Sequence, residues 1–543
     1  MKSNENKWST LSHNGPLFPP EYEHKNFDIK IGEHWVKLSK EAEEVLFWWT
    51  QKHNTEYVKD EVFKNNFWND FKTLLPSHYL SYSFPDNWNY TSILEYIDKE
   101  KRNKIKITKE DKNKEKQEKE KIKEQYGYAI IDGQKIELLN YVIIPPGLFM
   151  GRGDHPMRGK LKRRIQPEDV TINIDTSSSI PNPPEGHAWK EVIHNKKGIY
   201  TASWKSSFTG ITSISPTRTS SIVQESDKKK FDRARYLAKN KETIKQYIQD
   251  NIVSNDENEK QLATVSNLIY NYAIRVGNEK DEEVSADTVG ASSLRKEHII
   301  FKSNSKIEFD FLGKDSIRYN REYIVDEIFY NTLKYFYDKA ESRLFTNVNS
   351  ITINEFLNKG LTGITAKDFR TATASELLSS YLKTKDVSNL TEKEKINFFN
   401  DANLEVAKKL NHQSNVGKTF DITVENIEQK IKDCKIRIND ITNHQNELSR
   451  TDSKTFEKEY NTLEKEKIKL QTKIEDYKEK IILKNKTKGI ALGTSKTNYI
   501  DPRIIISWCN TYNVPLKKIL TASLIKKNEW AINIENTFFE EYI

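Results

Sequence analysis

Near the C-terminal end, the stretch ALGTSKTNYIDPRI (Ala491–Ile504) sets one tyrosine among small, polar and basic residues. A tyrosine hydroxyl titrates at about pH 10, so only about one in a thousand is ionised at neutral pH. Tyr499 is one of 25 tyrosines, most of which serve packing. To act as a nucleophile it needs neighbouring cations or a base. If the electrophile is a phosphodiester, negative charge builds on the phosphorus oxygens in the transition state. Preorganised Arg, Lys and His donors are the means of stabilising it. Arginine suits this best, because its planar fork grips two oxygens at once.

The preceding segment decides what can stand beside Tyr499. Val424, Ile427, Ile431, Cys434, Ile438 and Ile441 follow spacings of three and four, and Leu448 continues the register after a polar Gln445. The turn-like SRTDSKT follows. A second series then runs through Phe456, Tyr460, Leu463, Leu470, Ile474, Tyr477 and Ile481. Two heptad helices around a polar break predict an antiparallel coiled-coil hairpin over 421–488, in preference to one long helix pairing with another subunit. Such a hairpin returns residue 489 to residue 420 and brings Tyr499 near the residues around 412.

The chain has 543 residues, too many for one ordinary core, with 36% hydrophobic and 31% charged residues. No apolar run is long enough for a membrane span. The N-terminal MKSNENKWSTLSHNG reads as no secretory signal. Cys434 and Cys509 lie far apart and offer neither a metal spacing nor a disulfide framework, which suits a reducing compartment. The net charge of +8 hints at a polyanionic partner. Residues 1 to about 98 read as a mixed region with several helices, and 99–124 as a solvated helix supported by interleaved Lys and Glu. Residues 125–220 carry short β-like runs, with HAWKEVIHNKKGIYTASWKS read as strand, turn, strand. Residues 221–420 read as mainly helical, with a β insertion whose KIEFDFLG forms a hairpin strand ending at a Gly turn.

Six motifs then occur in order: PPGLFMGRGDHPMRGKLKRRIQPED (145–169), IRVGNEKDEEVSADTVGASSLRKEHI (274–299), FDFLGKDSIRY (309–319), GITAKDFRTATAS (363–375), KKLNHQSN (408–415) and SKTNYIDPRI (495–504). Together they resemble the eukaryotic-type DNA topoisomerase IB family, and the resemblance runs from about Trp8 onward. It implies an α+β multidomain fold. A mixed α/β N-terminal cap (1–220) precedes a mainly helical catalytic lobe of tyrosine recombinase/topoisomerase IB type with a β-hairpin insertion (221–420). An antiparallel coiled-coil linker (421–488) and a C-terminal domain carrying the tyrosine (489–543) follow. The charged, helical QESDKKKFDRARYLAKNKETIKQ fits the stretch that joins the lobes.

The same resemblance implies roles. Tyr499 is the nucleophile. Arg275, Arg370 and His412 hold the non-bridging phosphate oxygens, and Lys314 is the general acid to the leaving 5′ oxygen. Arg152 reaches the minor groove from the cap, while His155, Lys162 and Arg163 lie along the phosphates. Asp315 and Asn498 match positions that contact DNA or the camptothecin site. Met150 and Thr212 depart from the family's basic residues. The partner implied is double-stranded DNA clamped by a monomer, with no membrane, no metal and no cofactor, and the location implied is the nucleus, with a viral or organellar setting open. A tyrosine recombinase and a non-catalytic DNA-binding scaffold are the alternatives. A large cap and a linker before the tyrosine weigh against the first. Filled catalytic positions weigh against the second.

Overall fold

The aromatic runs of the first hundred residues build the first of three apolar cores. Helices Lys40–Thr50 and Glu61–Phe71 start at Ser39 and Asp60, whose side chains accept backbone N–H groups of the first turn. Phe63, Phe67 and Phe71 are spaced by four, so they share one helical face, and all three are buried. Trp49 stacks on Phe67 at 4.5 Å between ring centroids. A three-stranded antiparallel sheet of Ile29–Ile31, His34–Val36 and Trp88–Asn89 closes this core. Met150 packs against it. The computed structural model describes residues 6–105, 108–208, 210–277, 287–414, 419–449 and 456–542.

Helix Thr91–Ile105 starts in this core, with Ile93 buried, and the charged stretch continues as the exposed helix Lys109–Tyr126, opened by a capping box between Thr108 and Asp111. A second core, around Trp8, Ile136, Ile172 and Trp204, lies under two further sheets. One of them takes in a strand from earlier in the sequence. Strands Glu191–Ile193 and Ala202–Ser206 form as expected but do not pair with each other. Thr171–Asn173 lies between them, parallel to the first and antiparallel to the second. The reason is a buried amide. Asn173 donates to the carbonyls of Asn195 and Tyr200 and accepts the Asn195 N–H at 2.8 Å, so the connection wraps around it.

The third and largest core runs from Ala234 to Tyr542. Helix Ala366–Leu382 passes through it with Phe369, Arg370, Ala374, Ser375 and Leu378 all buried. Ile500, Ile504, Trp508 and Phe539 of the C-terminal segment belong to this same core. From one side projects a three-stranded sheet, Ile299–Lys302, Lys306–Gly313 and Ile317–Ile324. The expected hairpin is present, but its turn differs. Gly313 has an ordinary φ, while Asp315 and Ser316 take the left-handed conformation at φ 66° and 57°.

Helices Thr419–Leu448 and Phe456–Lys486 lie side by side and antiparallel. Arg437 pairs with Glu466 at 3.0 Å, and Gln445 donates to Glu464 at 3.0 Å. Ile441 and Ile474 are buried between the helices, while Tyr460 of the predicted seam is exposed. Of the turn-like SRTDSKT, residues 450–455 lie outside the described residues, as do 278–286 of the second motif and residue 415 of the fifth. The pair is tied at its base to helix Glu392–Lys409, where Lys393 bridges Asp476 and Glu479 at 2.6 Å each and Lys486 pairs with Asp401 at 2.5 Å. Among the described residues no helix is long and apolar enough to cross a membrane.

Candidate active site

The paired helices bring the chain back where the heptads require. Ser414 donates its N–H to Gly489 O, and Ala491 donates to His412 O at 2.9 Å. Helix Leu492–Asn498 follows and ends at Tyr499. The Tyr499 ring lies 5.0 Å from the His412 ring and 5.1 Å from the Arg370 guanidinium carbon, centroid to atom.

Arg370 is buried early in helix Ala366–Leu382. The helix start is fixed by Asp368, which accepts from Thr365 N–H and Oγ1 and pairs with Arg233. The Arg370 fork bonds the carbonyls of Ala273 and Leu410, the second at 2.8 Å. Its Nε–H has no hydrogen-bond partner among the described residues. Burial, and the nearby Arg275 charge, pull its pKa down to about 10, still far enough above neutrality to keep the charge. Arg275 is placed by its main chain. Its carbonyl accepts from Ala291 N–H, and the chain beyond it runs so close to Gly290 that a Cβ there would come within 2.4 Å of Gly277 N. Only glycine permits that approach.

His412 is 3% exposed. Its Nδ1 lies 2.8 Å from Ser495 Oγ, and its Nε2 3.5 Å from the Arg370 fork. Burial, then the charges of Arg370 and Arg275, push its pKa down to about 3, so the imidazole is neutral. Burial alone would raise the Tyr499 phenol. The Arg370 and Arg275 charges outweigh it and leave the hydroxyl below its ordinary value. Lys314 is exposed at the hairpin tip, and it lines one small recess together with Arg275, Arg370, Tyr319 and Asn411. A phenol eased toward ionisation by two guanidiniums, with an imidazole against its ring and an ammonium lining the recess those guanidiniums share, suits displacement at a phosphorus centre.

The comparisons with known proteins agree with this geometry. Residues 6–214 match the family model described as eukaryotic DNA topoisomerase I, DNA binding fragment. Residues 219–445 match eukaryotic DNA topoisomerase I, catalytic core, and 471–540 match the C-terminal topoisomerase domain. The DNA topoisomerase 1 of Caenorhabditis elegans is 38% identical across 99% of this chain and 68% of its own length. This chain belongs to the eukaryotic DNA topoisomerase I family. DNA topoisomerase 1 of Homo sapiens is 35% identical over 98% of this chain and 72% of its own length. DNA topoisomerase 1 beta of Arabidopsis thaliana is 36% identical, and there this chain spans 59% of the relative's length.

The residues read as peripheral in this family member are less uniform. Arg152 forms an ion pair with Asp315, joining its own glycine-flanked loop to the hairpin tip. Gly153 allows the contact, since a Cβ there would lie 2.4 Å from Ser316 Cβ. Asn498 is exposed next to Tyr499. His155 packs its ring against Phe149 and accepts the Met157 N–H. Lys162 is half-buried, and burial, then Lys52, lower its pKa. Arg163 gives both ends of its fork to Asp169 at 2.6 and 2.8 Å, so its guanidinium is already engaged by a near neighbour. Sequence reasoning passed over Ser495 and Ser375. Both stand inside quoted motifs, but a lone serine gives no signal until its partner is known.

Two buried histidines, His13 and His412, make acid stability measurable. His13 is lowered to about 4, by burial against the opposing pull of the Asn173 carbonyl. A histidine whose folded pKa lies below its unfolded value contributes stability that is full above about pH 6.5 and lost as pH falls toward the folded pKa. At pH 5 each histidine costs about 2 kcal/mol relative to pH 7, at 1.36 kcal/mol per unit. Urea midpoints at pH 7 and pH 5 should fall for the wild type and fall less for His412→Gln. An equal fall would show that His412 is not held neutral.

Proposed function

We propose that this chain is a type IB DNA topoisomerase, nicking one strand of duplex DNA, letting it rotate about the other, and resealing it. The observation that carries this reading is the convergence of the Arg370 and Arg275 charges on the Tyr499 hydroxyl, with the His412 ring against the Tyr499 ring.

The chemistry follows from the groups. The Tyr499 oxygen bonds to phosphorus and gives up its proton to solvent. The bond from phosphorus to the 5′ oxygen breaks, and the Lys314 ammonium gives that oxygen a proton. The 3′ end stays attached to the protein as a phosphotyrosyl diester. In the free protein the Arg370 fork faces His412 Nε2; with phosphate in place and the Ser495 hydroxyl donating to Nδ1, Nε2 carries the proton and the neutral ring donates a hydrogen bond to a non-bridging oxygen. The unpartnered Nε–H of Arg370 is a second donor for that charge. Resealing reverses each step. One diester replaces another of similar energy, so the drive is torsion in the DNA and no ATP is consumed.

On this reading residues 1–220 are the cap, 221–420 with 489–543 the catalytic lobe of tyrosine recombinase type, and 421–488 a coiled-coil linker. A monomer clamps the duplex, with Arg152 and Asp315 at the minor groove and the camptothecin site beside Asn498. Binding is mostly to phosphate and weakens steeply with salt. A nuclear setting follows from the family.

The test is relaxation of supercoiled plasmid with EDTA and without ATP, wild type against Tyr499→Phe. Relaxation by the wild type alone supports the reading. Binding without relaxation by both moves a DNA-binding scaffold into first place. Removing 425–484 is expected to leave nicking intact while changing the number of turns released per nick and its salt dependence, counted on topoisomer ladders. Unchanged ladders would remove any role for the linker in rotation.

A further inference from the structure

The helix that delivers Tyr499 has only seven residues, and its last carbonyls have no helical partner. Two ammoniums take them. Lys527 Nζ donates to Thr497 O at 2.8 Å, and Lys230 Nζ donates to Asn498 O at 3.3 Å. The lysines come from different segments, Lys230 from helix Ser221–Lys239 and Lys527 from the end of helix Ala522–Lys527. One carboxylate holds both. Asp227 lies 3.0 Å from Lys230 through Oδ1 and 2.8 Å from Lys527 through Oδ2. Lys527 is 6% exposed, an environment a lysine almost never takes without a partner.

The other side of Tyr499 is held as well. Ser375 Oγ accepts the Asp501 N–H at 3.0 Å and donates to Tyr499 O at 3.4 Å. Ser375 stands on the helix of Arg370, so that tie registers the tyrosine against the guanidinium. The lysine clasp registers it against helix Ser221–Lys239, which directly follows the cap's last strand, Gly210–Ile214.

We infer that Asp227, Lys230 and Lys527 are positioning residues for Tyr499, setting its hydroxyl against Arg370 and His412 through the helix that joins the two lobes. The inference rests on the reading of Tyr499 as nucleophile. A buried lysine is a costly way to fill space, and an apolar side chain of similar volume often serves stability as well. The charge at this place therefore points to orientation of the carbonyls before Tyr499. Cations at a helix C-terminus also interact favourably with its dipole.

The experiment uses the full chain and a duplex whose cleaved strand is too short to stay bound, so that each cleavage traps a covalent adduct. Single-turnover adduct formation at saturating DNA is measured for wild type, Lys527→Met, Lys527→Arg, Lys230→Met and Asp227→Asn. DNA affinity is measured for each in a Tyr499→Phe background. Lys527→Met and Asp227→Asn are expected to slow adduct formation about 10- to 100-fold, the effect of a small misplacement of a reacting group, with affinity unchanged. Lys527→Arg should recover most of the rate, and the double variant Asp227→Asn, Lys527→Met should be no slower than the slower single one. Lys230→Met, at a half-exposed site, guards against misfolding and should slow the step with an unchanged melting temperature. Wild-type adduct rates in the variants, or a loss confined to affinity, would overturn the inference while leaving Tyr499 as nucleophile. No adduct with the wild type would overturn the nucleophile reading, and the inference with it.

Discussion

Tyr499→Phe is expected to bind supercoiled plasmid as the wild type does and to relax none of it. The substitution removes one oxygen and leaves the ring between His412 and Arg370, 5.0 and 5.1 Å away. The phenol is half-buried, so little packing is lost, and the apolar edge of phenylalanine fits the same space. The chemistry has no substitute. Removing a nucleophile from a site that acts as a unit costs at least about 10⁴-fold. Two measurements check this: topoisomer distributions on gels, and protein–DNA adducts trapped by rapid denaturation. Wild type should give both relaxation and adduct, and the variant neither. Relaxation surviving in Tyr499→Phe would reassign the nucleophile.

Arg370→Lys should be nearly as damaging, although it keeps a positive charge. The guanidinium does three things at once. It bonds the Ala273 and Leu410 carbonyls, covers the Tyr499 ring, and faces His412 Nε2. A lysine is a single point donor and cannot reproduce that fork. Loss of one preorganised donor to a transition-state oxyanion typically costs about 10²–10³-fold. Each buried carbonyl left without its donor costs about 1–3 kcal/mol of stability. Arg370→Lys is therefore expected to lower both single-turnover cleavage and the urea midpoint, and Arg370→Ala to lower both further. Cleavage close to wild type in a destabilised Arg370→Lys would show that the fork serves the fold alone. The site is coupled in a further way: taking this charge away removes the leading influence that offsets burial at Tyr499, so its phenol should titrate higher.

Much of this site was legible from residue order alone. The heptads from Val424 to Ile481 specify two helices that fold back, because a spacing of three and four reports one apolar face whatever lies far away. Alternation in KIEFDFLG specified a strand for the same local reason. Those two elements already required Tyr499 to return beside His412 and a hairpin to carry Lys314. The motifs named the five residues that share or border the site.

The tertiary structure decided what each group is once there. His412 is neutral because it is buried and because two guanidinium charges from other segments disfavour its cation. Arg163 is engaged by Asp169, six residues on, rather than left free for phosphate. Strand Glu191–Ile193 pairs with Thr171–Asn173 because a buried asparagine needs the connecting loop. The hairpin turns at Asp315 and Ser316, where Gly153 approaches it, and not at Gly313. Asp227 meets Lys527, which lies far along the chain from it. Periodicity records which face of an element is buried. It does not record which distant charge will meet that face, or how little water will remain between them, and those two quantities set the protonation and the orientation on which the chemistry depends.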